Sequence, residues 1–258
     1  ADWNSGRLQS FLMEITAEIF TFKEKGSEHL LLDDIKDEAR AKGTGKWTSQ
    51  VAMDLQAPSP VIDTAVAMRD LSKYKDMRVK AAEKYSSSEQ AQLEGDKDEL
   101  LAALEQAFYF NMIITYAQGM FLLTNASIEY KYELNLAEIA KIWRGGCIIR
   151  SLFLNDIYNA YEGDTALAHL LLDAGVQKLV TEALPGARKI VSAATAAGVA
   201  APAYAAALSY FDAFRSARMP SNLTQAQRDF FGAHTYELVG KEGVFHTQWV
   251  INKMAEEN

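Results

Sequence analysis

The stretch Glu99-Leu100-Leu101-Ala102-Ala103-Leu104-Glu105-Gln106-Ala107-Phe108-Tyr109-Phe110-Asn111-Met112-Ile113-Ile114-Thr115-Tyr116-Ala117-Gln118-Gly119-Met120-Phe121-Leu122-Leu123-Thr124-Asn125-Ala126-Ser127 decides the fold class. Its apolar residues follow a helical period and cover most of the circumference, the pattern of a helix buried on most sides. Such a helix needs other helices around it, and the flanking sequence offers them. Leu136 to Tyr161 reads as a second long apolar helix. Ala166 to Val199 reads as two or three more, rich in Ala and broken around Pro185-Gly186 and Gly198. Ala203 to Phe214 carries small residues that suit close helix packing. Toward the N-terminus, Leu8, Phe11, Leu12, Ile15 and Ile19 step by three and four along a helix that Asn4 or Ser5 can cap. Leu31, Leu32, Ile35 and Ala39 start another, ended by Gly43. The pair Pro58 and Pro60 breaks the chain, and the helical pattern resumes from Val61 through Arg69 and Leu71.

Ser86 to Lys97 has no apolar period and reads as a surface loop. Leu223 to Val239 mixes polar and aromatic residues densely, and Gly240 to Asn258 carries too little apolar surface to fold alone. No strand-like alternation of useful length and no short-period repeat is present. The expected fold is therefore all-α: a large multi-helix domain over residues 1–239 and an extended tail over 240–258.

Composition narrows the function. Hydrophobic residues make up 49% and charged residues 23% of the 258, the balance of a globular protein rather than a disordered or fibrous one. A net charge of −8 argues against general nucleic-acid binding, which wants a basic face. An anionic ligand can then be held only by a local gathering of Lys and Arg. Cys147 is the single cysteine, so no intrachain disulfide forms and a reducing compartment is the simple reading. It lies in an apolar run and reads as a small buried hydrophobe. No stretch approaches the roughly 20 apolar residues of a membrane span. The start, Ala1-Asp2-Trp3-Asn4, has neither Met nor a signal-peptide pattern and reads as a cut inside a longer chain.

Three segments could carry chemistry. In Ala41-Lys42-Gly43-Thr44-Gly45-Lys46-Trp47-Thr48, two glycines allow tight turns while two lysines and Thr44 supply donors, so a phosphate or carboxylate could be cradled there. The spacing is not that of a Walker A loop, and a plain helix-joining turn is the alternative. In Gln225 to Tyr236, Arg228 and His234 would point apart on a straight helix. If Gly232 ends the helix, His234 can fold back toward the arginine; a surface arginine and a core-edge histidine is the alternative. Trp143-Arg144-Gly145-Gly146-Cys147-Ile148-Ile149-Arg150 lies within the second long helix. There the glycines suggest close approach of a neighbour, and Arg144 and Arg150 suggest structural ion pairs. His29, His169 and His246 stand singly, so no metal site is expected. No G-x-G-x-x-G follows a strand pattern, so no dinucleotide fingerprint is present.

Lys42 to Thr48, Tyr116-Ala117-Gln118-Gly119, Ile142 to Arg150, Asn222 to Tyr236 and Lys241-Glu242-Gly243-Val244-Phe245-His246-Thr247, in this order and spacing, resemble the C-terminal domain of 6-phosphogluconate dehydrogenases. The resemblance runs through nearly the whole chain. It implies a cytoplasmic, NADP-dependent oxidative decarboxylation of 6-phosphogluconate to ribulose 5-phosphate in the pentose phosphate pathway. It further implies that the family's general base and acid, a lysine and a glutamate, and its coenzyme domain lie upstream of Ala1. Carried onto this chain, Lys42, Thr44 and Arg69 match substrate-contacting positions. Arg228 and His234 match a pair reaching into the neighbouring subunit of a homodimer, and the tail with Phe245 and Trp249 matches a segment threading through that subunit. Phe230 stands where Tyr is common, and Val66-Ala67-Met68 departs from the usual aromatic-containing run. A member of the wider β-hydroxyacid dehydrogenase group acting on a smaller acid is the competing reading, disfavoured by the phosphate-type arginines.

Overall fold

The structure is a computed structural model that describes residues 1–85 and 92–249. It forms two compact units, Ala1–Phe211 and a second beginning at Asp212. The helices in chain order are α1 (Phe11–Ile19), α2 (Leu31–Asp34), α3 (Thr44–Asp54), α4 (Pro60–Ser72), α5 (Lys75–Tyr85), α6 (Lys97–Tyr130), α7 (Leu136–Trp143), α8 (Leu154–Gly163), α9 (Ala174–Ala196), α10 (Pro202–Phe214) and α11 (Ser221–Gly232). The all-α expectation holds.

Helix α6 is the axis of the first unit. Asp96 caps it, its carboxylate accepting from the N–H groups of Asp98 and Glu99 at 3.0 Å each. Phe110, Ile113, Ile114, Ala117 and Met120 are fully buried along it, each larger side chain contributing about 1.5–3 kcal/mol by leaving water. Phe110 meets Phe211 edge-on at 5.5 Å, and Tyr109 meets Phe153 at 6.1 Å, the T-shaped geometry that aromatic quadrupoles favour.

Helix α9, capped by Asp173 through Val176 N–H at 2.8 Å, packs along α6. It runs unbroken through Pro185, where the sequence suggested a break. At Gly186 the helices nearly touch: a Cβ there would sit 2.4 Å from Gln106 Cβ and 2.7 Å from the Ala103 carbonyl oxygen. The glycine allows a close crossing rather than ending the helix.

Three other boundaries differ from the sequence reading. Residues 136–161 are two helices, because Gly145-Gly146 end the first and Gly146 takes φ +89°. The chain then turns, Arg150 N–H donating to Cys147 O at 3.0 Å, before Ser151 pairs with Ser10 and Leu152 N–H donates to Gln9 O at 2.8 Å. The cap of α1 is Ser10, whose hydroxyl accepts from Met13 N–H; Asn4 instead accepts the Ser10 N–H at 3.0 Å. The helix expected up to Gly43 is a single turn, Leu31–Asp34, and Gly43 instead begins α3. Of the loop expected over 86–97, residues 86–91 lie outside the described residues.

In the second unit α11 is followed by a small antiparallel hairpin, β1 (Tyr236–Leu238) with β2 (Lys241–Phe245). The sequence reading contained no strand. Val239-Gly240 makes the turn, with Gly240 at φ +74°, so the hairpin spans the division expected between residues 239 and 240. The tail continues through His246 to Trp249; its remainder, 250–258, lies outside the described residues.

Candidate functional site

Gly43 opens α3 in the left-handed region, at φ +108°, a conformation open to a residue without Cβ. No side chain caps this helix, so the N–H groups of its first turn keep their donor capacity, aided by the helix dipole. Lys42 immediately precedes the turn, and Thr44 is the first helical residue. Gly45 serves a different purpose. Its Cβ would meet Val66 Cγ2 at 3.0 Å, so its absence seats the start of α3 against the middle of α4. Arg69 lies on α4 three residues beyond Val66, in the last turn of that helix.

The irregular segment leading into Lys42 is tied down by contacts that sequence periodicity does not show. Ala39 N–H donates to Ser72 Oγ at 2.9 Å, and that hydroxyl donates to Arg69 O at 2.7 Å. Asp37 accepts from Lys75 Nζ at 2.6 Å and Arg78 Nη1 at 3.0 Å. Hydrogen bonds from Lys75 and then Arg78 draw its carboxyl down to about 2. Thr44 thus lies on α3 and Arg69 on α4, two packed helices, with Lys42 two residues before the start of α3. Among the described residues, no hydrogen bond or ion pair engages the side chains of Lys42 and Arg69.

Thr44 also lines, with Trp47, Val51, Met112, Leu123 and Ile148, a largely apolar cavity of about 870 Å³ beside α6. Trp47 is 63% exposed and Ile148 65%.

Arg228 and His234 belong to the second unit. Helix α11 ends at Gly232, and Ala233 and Thr235 follow at φ +50° and +60°. Non-glycine residues in this region cost roughly 1–2 kcal/mol each, so the turn must be held by other contacts. They come from Asp229, a residue the sequence reading passed over, whose side chain is fully buried. One carboxylate oxygen accepts Thr235 N–H at 3.0 Å and His246 Nδ1–H at 2.8 Å. The other accepts Thr247 N–H at 3.1 Å and Trp249 Nε1–H at 2.8 Å. Burial pushes this carboxyl up, but the bonds from His246, Thr247, Trp249 and Thr235 outweigh it and hold it at about 2. The His234 ring folds back over Gly232, where a Cβ would sit 2.8 Å from its Nε2, and meets Phe231 edge-on at 6.0 Å.

Arg150 pairs with Glu14 at 3.3 Å and lies over the Phe11 ring at 4.1 Å. Arg144 donates to the neutral amide oxygen of Asn155 at 2.5 Å and lies over Tyr158, in place of the ion pair suggested. Cys147 is half-buried. His169 is buried: its Nδ1 accepts Leu171 N–H at 3.2 Å, so its proton sits on Nε2, 2.9 Å from the Tyr210 hydroxyl. Burial lowers its pKa to about 4. Among the described residues no three His, Cys, Asp or Glu side chains gather as a metal site, and no helix is long and apolar enough to cross a membrane.

Residues 1–249 match the family described as 6-phosphogluconate dehydrogenase, C-terminal domain. The NADP(+)-dependent, decarboxylating 6-phosphogluconate dehydrogenase of Bacillus subtilis is 47% identical over 250 residues, covering 97% of this chain and 53% of that protein. The decarboxylating enzyme of Escherichia coli is 48% identical over 249 residues, 96% of this chain and 53% of that protein. The Plasmodium falciparum 6-phosphogluconate dehydrogenase, whose structures comprise an apo form and complexes with its cofactor NADP+ and its substrate 6-phosphogluconate, superposes with a TM-score of 0.93. The two share 43% identity over 96% of this chain and 53% of that one. The chain spans about half the length of the relatives it matches. From residue 1 to residue 249, then, this chain belongs to the 6-phosphogluconate dehydrogenase C-terminal domain family.

Proposed function

We propose that this chain is the sugar-phosphate clamp and subunit-pairing half of a cytoplasmic, NADP-dependent 6-phosphogluconate dehydrogenase, which converts 6-phosphogluconate to ribulose 5-phosphate and CO2. The observation that carries the reading is the uncapped, glycine-flanked start of α3, with Lys42 and Thr44, seated against α4 with Arg69. A phosphate dianion wants a planar arginine fork, a point charge and open backbone N–H groups. An acidic protein can hold such an anion only by gathering cations locally. Lys42 supplies the point charge, Arg69 the fork and Thr44 a hydroxyl donor.

Pairing into a homodimer is supported by the apolar cavity beside α6, whose exposed Trp47 and Ile148 would be covered by a second subunit. In that dimer Arg228, His234 and the C-terminal tail act on the partner's substrate. The described residues do not fit a dinucleotide. Their two strands form an antiparallel hairpin, and none leads into a glycine-rich helix start that could cradle a pyrophosphate. NADP is therefore assigned to the full-length enzyme, and no hydride or proton-transfer step is assigned to these residues, which by themselves are expected to bind substrate without turning it over. No metal is assigned.

Thermal unfolding with increasing 6-phosphogluconate tests the reading. Ligand at 100 times its Kd stabilises the folded chain by about 2.7 kcal/mol, a clear rise in midpoint that Arg69→Ala should abolish. An unmoved midpoint for the parent chain would sink the clamp and leave a helical pairing scaffold.

A further inference from the structure

We infer that Asp229 is a positioning residue for substrate binding: it latches the returning tail to the end of α11 and so fixes the turn that carries His234 back over Gly232. This rests on the reading of Arg228 and His234 as ligands of a sugar phosphate. Asp229 cannot touch a ligand, since it is fully enclosed. It follows Arg228 directly, and its main-chain carbonyl accepts the Ala233 N–H at 2.9 Å. One carboxylate oxygen holds Thr235 N–H and His246, and the other holds Thr247 N–H and Trp249. His234 is therefore bracketed by two left-handed residues, Ala233 and Thr235, both bonded to Asp229. Gln225 Nε2 adds a further tie, donating to Thr235 O at 2.6 Å.

The chemistry favours an ionised carboxylate here, since three of its four partners can only donate. Two N–H donors converge on each of its two oxygens, and a carboxylate offers about four lone-pair sites. An amide would set its NH2 against Thr247 N–H and Trp249 Nε1–H in one orientation, and against Thr235 N–H in the other. The latch also couples segments far apart in sequence, so the tail up to Trp249 decides whether the His234 turn stays formed.

The test compares Arg228→Ala, Asp229→Asn and Trp249→Phe with the parent chain. The dissociation constant for 6-phosphogluconate is measured by calorimetry well below each unfolding midpoint, and the midpoints are recorded without ligand. Losing charge-assisted bonds, Asp229→Asn should weaken binding roughly tenfold or more. Trp249→Phe, which removes one donor and spares the carboxylate, should weaken it about threefold and carries the test if Asp229→Asn does not fold. A Trp249→Phe chain with a lowered midpoint but the parent's dissociation constant makes Asp229 purely structural and overturns the inference, as does a folded Asp229→Asn chain that binds like the parent. If Arg228→Ala binds as tightly as the parent, the clamp reading itself fails and the latch's role in binding fails with it. Weakening by Arg228→Ala with none by Trp249→Phe sinks the latch alone.

Discussion

Gly186→Ala is the most direct probe of how α6 and α9 are held together. In most helix interiors this substitution stabilises, since Ala gains about 1 kcal/mol over Gly. Here the new methyl would sit 2.4 Å from Gln106 Cβ and 2.7 Å from the Ala103 carbonyl oxygen. Carbon atoms rest about 3.5–4.0 Å apart, so the helices must separate locally by about 1 Å or more. Neither obstacle can swing aside, because one is backbone and the other is bonded directly to it. Overpacking of this kind costs about 1–3 kcal/mol, and the rigidity of both contacts places it at the upper end. Subtracting the propensity gain leaves a net loss of roughly 2 kcal/mol. Urea unfolding followed by far-UV circular dichroism measures it. With a slope of about 3 kcal/mol per molar for a chain of this length, the midpoint should fall by roughly 0.7 M. A midpoint equal to or above the parent's would refute the close crossing and restore the reading of Pro185-Gly186 as a helix break.

Two further outcomes follow from the same contacts. Gly45→Ala places a methyl 3.0 Å from Val66 Cγ2, and a β-branched side chain on a helix has little rotamer freedom with which to yield. Stability should stay within about 1 kcal/mol of the parent, as propensity and crowding offset each other. The affinity for 6-phosphogluconate should fall roughly tenfold as Thr44 shifts against Arg69, and an unchanged affinity would count against those residues sharing a ligand. His169, neutral in the fold with its pKa lowered to about 4 from 6.5, gives a pH signature. Its contribution is fully present above pH 6.5 and is lost as pH falls toward 4, because the unfolded chain takes up the proton first. Unfolding free energy should therefore rise with pH across that window. His169→Asn, which keeps an acceptor for Leu171 N–H, should flatten the rise; identical slopes would refute the assignment.

Much of the first unit was legible because burial writes itself into sequence as a period. The apolar residues of Glu99–Ser127 surround the helix, and they became α6, the axis of the core. Gly232 is the last residue of α11, the stop that the sequence offered as one of two alternatives, because a glycine in a helical pattern can either end the helix or pack within it. Where period and punctuation disagreed, the reading failed. Gly145-Gly146 looked like packing glycines inside a helix and in fact end one, whereas Gly186 looked like a break and proved to be a packing glycine. A glycine's neighbours in space distinguish these cases, and those neighbours are more than 70 residues away in the second. The hairpin escaped because strands of three and five residues are too short for alternation to register.

The sequence by itself therefore determined the helical class, the family and the cations available to an anion, since each depends on residue type and local spacing. Tertiary structure alone decided how those cations are presented. The α3 start is placed by Gly45 against Val66 and by Ser72 bonding Ala39, and the His234 turn is held by Asp229 through a tail that arrives from up to 20 residues away. Asp229 is one acid among 34 Asp and Glu residues in the sequence. Only the convergence of four partners on its two oxygens sets it apart, and such convergence is a property of the folded chain.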